Sequence, residues 1–193
     1  GLIRSQIARM SVTGEKGYEI NCRMGDHIAL RAMLLAAGAS DGIVEVGFNA
    51  MLSLRLEKSF GIWSAEFTQG YTAAETGMDR FISFKKNVDF IGRATAEAER
   101  ANPPARMSVV FEVDADDADV VAYEPVFIDG QVQGFCTSGG YSHCVEKSIA
   151  LALVPRVLVT DDMEVEIEIM GQLRPARRIT TPLFDPDGAV MRG

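Results

Sequence analysis

Two consecutive prolines, Pro103 and Pro104, set directly after Asn102, constrain this chain more than any other feature of its sequence. They remove two backbone donors and bias the preceding residue away from the helical region, so no regular element runs through them. The hydrophobic pattern differs on the two sides. Before the prolines, residues 4–12 suit a strand, with Ile7, Ala8, Met10 and Val12 among polar neighbours. Thr13-Gly14-Glu15-Lys16-Gly17 reads as a turn, because closely spaced glycines supply positive φ. Residues 18–23 resume as a strand and complete a hairpin. Asp26 is placed to cap a helix that carries Ile28, Leu30, Met33, Leu34 and Leu35 and stops at Gly38. Residues 42–46 form a short apolar strand in this reading. Asn49 caps a helix over 50–59, where Leu52 and Leu56 share a face. An irregular stretch over 60–77, a brief strand over 81–84 and a helix over 92–101 lead to the prolines.

Beyond them the helical period disappears. Residues 107–113, 125–128, 132–138, 147–154, 163–170 and 174–180 all read as strands, with Asp129-Gly130 and Gly171-Gln172 as turns. Val165, Ile167 and Ile169 alternate with Glu164, Glu166 and Glu168, the period of a strand with one wet face. Short strands at this density point to a small antiparallel barrel or sandwich. The expected fold class is α+β: a partial ferredoxin-like or Greek-key α+β half-domain over residues 1–101, then a small antiparallel β-barrel over 105–193.

Composition narrows the partners. Against 27 acidic residues stand 19 basic ones, a formal net charge of -8, which argues against nucleic acid. No run approaches the roughly 18 to 20 apolar residues that a membrane span requires, and residues 1–10 lack the apolar stretch of a secretory leader. Three cysteines, Cys22, Cys136 and Cys144, without C-x-x-C spacing, point to reduced thiols in a cytoplasmic or matrix-like setting and to no metal centre. The aspartates at 114, 116, 117 and 119 could converge on a cation, but the run lacks an EF-hand glycine and closing glutamate and reads as a solvated loop. There is no phosphate-binding loop, no dinucleotide fingerprint and no nucleophile elbow. Thr137-Ser138-Gly139-Gly140 reads as a strand ending in a turn, with an anion cradle as the weaker alternative.

Four landmarks carry the reading further. Thr13-Gly14-Glu15-Lys16-Gly17-Tyr18-Glu19-Ile20 resembles the T-G-E-x-G-[YF]-E-[IL] signature of the aminomethyltransferase family, found in the glycine-cleavage T-protein and in sarcosine and dimethylglycine dehydrogenases. Leu54-Arg55-Leu56-Glu57-Lys58 resembles its L-R-[LI]-E-[KA], and Asp89-Phe90-Ile91-Gly92-Arg93 its D-F-I-G-[RK]. Thr137-Ser138-Gly139 with Lys147-Ser148-Ile149-Ala150-Leu151 and Val154-Pro155 resembles its T-S-G…K-S-[IV]-A-[LM]-x-x-V-P. The order is the family's, across nearly the whole chain. Phe60-Gly61-Ile62-Trp63 and the tail from Pro182 to Gly188 are similar to the dehydrogenase type.

The resemblance implies tetrahydrofolate as cofactor and one-carbon (aminomethyl or methylene) transfer involving a small methylated amine. It places the pterin against Glu19, whose carboxylate can accept two parallel donors, with Tyr18, Met51 and Trp63 around it. Met51 stands where the T-protein has an arginine; a thioether can pack on a ring but cannot pair with a carboxylate. Trp63 could stack on folate or sit in the core. Arg55 and Glu57 read as anchors of their helix. The family's catalytic aspartate belongs to the earlier half of the folate domain, so this chain is expected to lack that half, to carry no catalytic residue and to self-associate in its place. Alternatives are a tetrahydrofolate-dependent O-demethylase, or a non-catalytic folate-binding or assembly module.

Overall fold

A computed structural model describes residues 2–193. A two-stranded antiparallel hairpin, β1 (Ser5–Ala8) and β2 (Glu19–Cys22), pairs Ala8 with Glu19 and Ser5 with Cys22. Helix α1 (His27–Ala37) follows, with Asp26 at the cap position but making no side-chain cap hydrogen bond. Helix α2 (Phe48–Glu57) starts one residue ahead of Asn49 and is capped by the extended Gly47. The stretch at 42–46 is not a strand: Ile43, Val44 and Val46 are exposed, and no neighbouring strand is present to accept their ladder bonds. Residues 81–84 likewise form no strand, only the end of a 3-10 turn and irregular chain. Helix α3 (Arg93–Ala101) closes this α+β part, with Asn102 as its last, non-helical cap ahead of the prolines.

The remaining strands are β3 (Arg106–Val113), β4 (Pro125–Ile128), β5 (Gln131–Ser142), β6 (Lys147–Pro155), β7 (Glu164–Ile169) and β8 (Gln172–Ile179). They close into an antiparallel barrel in the order β3-β6-β5-β4-β7-β8. Closure leaves no free edge, and every strand is hydrogen-bonded on both sides. The inward row of β7 is the expected one, Val165, Ile167 and Ile169. These pack with Val109, Phe111, Val113, Val126 and the even-numbered Ala150, Ala152 and Val154 of β6 into one apolar core. Strand β6 is buried on both faces, because Ile149, Leu151 and Leu153 point outward yet are also covered. Helix α2 packs on β5 and β6 and supplies part of that cover.

Thr137-Ser138-Gly139-Gly140 does not end a strand. It runs through the middle of β5, which shifts register between Cys136 and Ser138. Gly139 is there for close approach: a Cβ would lie 2.5 Å from Val120 Cβ. A short terminal helix, α4 (Ala189–Arg192), ends the described chain.

Candidate functional site

The landmark turn and the landmark helix meet. Gly14 is buried at φ +79, a conformation that glycine adopts without strain, and a Cβ there would overlap the Lys58 side chain. Lys58, at the end of α2, is 4% exposed, and its Nζ donates to the carbonyls of Phe184 and Asp185 and to Asp185 Oδ2, the last at 3.0 Å. The Lys58 ammonium, and beyond it the backbone amides of Ala189 and Val190, hold the Asp185 carboxyl below its ordinary value against a smaller opposing effect of burial. One lysine therefore joins the turn before β2, helix α2 and the C-terminal tail.

Arg55, one turn earlier, faces the barrel. Its Nη1 donates to Phe60 O at 3.0 Å and to Glu66 Oε2 at 3.3 Å, and both side chains are almost wholly buried. Glu66 Oε2 also accepts from the Ile62 amide at 2.9 Å, while its other oxygen accepts from Ser138 Oγ on β5. Burial, more than Glu66 offsets, lowers the Arg55 pKa from its ordinary value, but a guanidinium keeps its proton at neutral pH. Glu57 turns the other way: its Oε1 accepts from Ser142 Oγ and from the Cys144 amide, both at 3.0 Å. Ser53 Oγ adds a bond to Tyr141 O at 2.6 Å. Arg55 and Glu57 thus anchor α2, each to backbone as well as to side chains.

The three cysteines are free thiols. Burial pushes Cys136 up to about 12, and a hydrogen bond with Glu57 holds Cys144 above its ordinary value. Neither is a thiolate at neutral pH, so neither is an activated nucleophile.

The candidate folate ligands lie on the less buried part of the molecule. Glu19 opens β2 opposite Ala8 and is exposed, with no hydrogen-bond or ion-pair partner for its carboxylate among the described residues. Tyr18 beside it is 57% exposed. Met51 is half-buried on the first turns of α2. Trp63 is no core residue: it is 79% exposed and touches Phe67 only edge to face, with ring centroids 6.1 Å apart. No hydrogen bond joins these four to one another. The Arg55–Glu66–Ser138 cluster was not anticipated as a unit, since its members lie 11 and 72 positions apart in sequence. Ser138 does stand in the T-S-G landmark, which was the available signal.

Comparison with known proteins gives the family of the chain. Residues 1–86 match the GCVT N-terminal domain, and residues 106–185 match the glycine cleavage T-protein C-terminal barrel domain. Human mitochondrial dimethylglycine dehydrogenase is 37% identical over 175 residues, covering 91% of this chain and 20% of that protein. An aminomethyltransferase of Geobacillus sp. (strain WCH70) is 32% identical over 182 residues, covering 94% of this chain and 50% of its own length. The crystal structure of glycine cleavage system aminomethyltransferase T from Bartonella henselae superposes with a TM-score of 0.81 at 25% identity, covering 93% of this chain and 50% of that one. The chain spans about half the length of the aminomethyltransferases it matches and about a fifth of the human dehydrogenase. With both family domains matched in order, the chain belongs to the aminomethyltransferase (glycine-cleavage T-protein) family.

Proposed function

We propose that this chain forms part of a tetrahydrofolate-dependent one-carbon transferase acting on a small methylated amine, and that residues 1–101 and 105–193 are its two domains. Family membership carries this reading, and the chemistry of the candidate residues fits a reduced folate. Glu19 offers an unpartnered carboxylate, the right acceptor for the paired N–H donors along a pterin edge. Trp63 and Tyr18 offer largely uncovered aromatic faces, and Met51 a polarizable side chain that can lie against a flat ring. Bound folate would supply the nitrogen that accepts the one-carbon unit. Within this chain Glu19 orients the pterin and Trp63 shields it from water. No residue of this chain is assigned to proton transfer, and the catalytic aspartate expected for the family is placed in a complementary half of the folate domain.

High affinity requires a concave apolar pocket that buries most of the ligand. The uncovered rings therefore imply weak binding by this chain alone. Calorimetric titration with tetrahydrofolate should give weak or no heat for residues 1–193. A protein that also contains the complementary half should bind tightly, and Glu19→Ala should weaken that binding by about 1.5–3 kcal/mol, the range for hydrogen bonds to a charged group. Unchanged affinity in that variant would remove Glu19 from the site.

A further inference from the structure

Val113, Ser148, Val165 and Ala176 are neighbours across three ladders of the barrel, and a cleft of about 730 Å³ opens over them at one mouth. That volume lies within the range of small-molecule sites. Six carboxylates line its rim, those of Asp114, Asp116, Asp129, Glu146, Glu164 and Glu166. Two cations stand among them, Lys147 and Arg177, and both are engaged by Glu112, at 3.3 and 2.7 Å. None of the six rim carboxylates has an ion-pair partner among the described residues. Exposed acids alone do not define a site, since water solvates them well.

The floor supplies an independent feature. Ser148 is 1% exposed, and its Oγ has no hydrogen-bond partner. Its place on β6 shares the parity of Ala150, Ala152 and Val154, which face the barrel interior, so its hydroxyl points inward at the end where the cleft opens. Across the ladders Ser148 stands beside Val113 on β3 and Tyr141 on β5, and neither forms a hydrogen bond with its hydroxyl. A buried hydroxyl is ordinarily paired, and an orphan at the floor of a cleft asks for a partner from a ligand.

We propose that this mouth binds an oligoamine, a flexible chain carrying two or more ammonium groups. One ammonium donates to Ser148 Oγ, the methylene stems lie on Val113, Val165 and Ala176, and the remaining ammonium groups stand among the rim carboxylates. A single metal ion fits less well. Among the described residues no three His, Cys, Asp or Glu side chains converge to hold one, so charge spread along the rim matches a ligand whose own charges are spread.

The test uses spermidine as probe, titrated calorimetrically into the chain at about 0.1 M salt, where the Debye length is about 10 Å, with magnesium chloride as the control for diffuse attraction. Saturable one-to-one binding is expected for spermidine and a non-saturating response for magnesium. Replacing Glu164 and Glu166 together by glutamine should weaken spermidine at least about tenfold, whereas Asp41→Asn with Asp187→Asn, the same charge change away from the cleft, should alter it less than about twofold, as for distant screened charges. Ser148→Ala, which removes an unpaired group from a folded barrel, should weaken binding about ten- to hundredfold, the loss of one hydrogen bond to a charged group. Amide shifts on adding spermidine should concentrate at residues 113–116, 146–148 and 164–166. Equal losses in the two charge variants, an unchanged affinity in Ser148→Ala, or shifts scattered over the acidic surface would each overturn the proposal.

Discussion

The barrel and the α+β part ahead of it bury different kinds of side chain. Inside the barrel the buried groups are apolar almost throughout, from Phe111 at 0% exposure to the alternating row of β7. Among residues 2–101 the only buried apolar side chain is Leu56; the other buried side chains are those of Arg55, Glu57, Lys58, Glu66 and Glu75. Helix α1 buries none of its residues. Apolar burial is non-directional and supplies the bulk of folding free energy. Buried charge is directional, costs desolvation and contributes little net stability, yet it punishes any other arrangement. The barrel is thus the stable body, and the α+β part is seated on it by polar contacts that fix where it sits.

The comparison predicts that equivalent truncations have unequal effects. Phe111→Ala should lower the free energy of unfolding by about 3–5 kcal/mol, the range for a large core aromatic. Ile28→Ala and Met33→Ala, at 79% and 54% exposure in α1, should each stay within about 0.5 kcal/mol. Urea denaturation of the three variants decides the matter, and losses of similar size would end the distinction.

A second prediction concerns the seat itself. Glu66→Ala leaves Arg55 buried without its carboxylate and Ser138 without its acceptor, at a cost of about 3–5 kcal/mol, as for a broken buried ion pair. The loss should fall on the α+β part, seen as faster hydrogen exchange in α2 with β3 and β7 still protected. Replacing both partners, Arg55→Met with Glu66→Leu, should recover much of it, because no buried charge is then stranded. A double variant as damaged as the single one would show that the pair does more than hold position.

The barrel was largely legible because its signals are local. Asp129-Gly130 and Gly171 stand at real turns, with positive φ at all three residues, and the Val165, Ile167, Ile169 row is read correctly by alternation alone. The α+β part was less legible because its elements depend on partners that alternation does not specify. Residues 42–46 have a strand's composition, but no partner strand lies beside them. The exception inside the barrel is Thr137-Ser138-Gly139-Gly140, which has a turn's composition although Gly139 serves the close passage of Val120 within β5. Of the candidate site, the landmarks proposed Glu19 and its neighbours one at a time. The Arg55–Glu66–Ser138 contact is long-range and is visible only once the chain is folded.

The uncovered apolar side chains of the first part give a third, weaker effect. Ile28, Met33, Leu34, Val44 and Val46 are all exposed, and clustered exposed apolar side chains favour association. The chain alone should self-associate, with its sedimentation coefficient rising with concentration, and Ile28→Glu with Val46→Glu should shift it back toward monomer. A concentration-independent monomer would mean that this face is tolerated in water and that the two regions differ less than their burial suggests.

The smallest effect lies where the two regions are tied at the tail. Asp185 accepts from Lys58 Nζ at 3.0 Å and from the amides of Ala189 and Val190 at 2.8 and 3.3 Å, and these contacts depress its pKa below the ordinary aspartate value. A carboxyl with a lowered folded-state pKa binds fewer protons when folded than when unfolded. Its contribution is therefore complete above the ordinary aspartate value, about 3.9, and is lost as pH falls through the lower folded value. The tail should accordingly stay docked through neutral and mildly acidic pH and loosen only in stronger acid. An NMR pH titration reads this directly: the Ala189 and Val190 amides should shift with a midpoint below the ordinary aspartate value. In Lys58→Met that midpoint should move up toward it, because the ammonium that favours the carboxylate is gone. A midpoint already at the ordinary value in the unmodified chain, or one unmoved by Lys58→Met, would show that Lys58 does not hold the tail, and that the turn, α2 and the terminus are joined by packing alone.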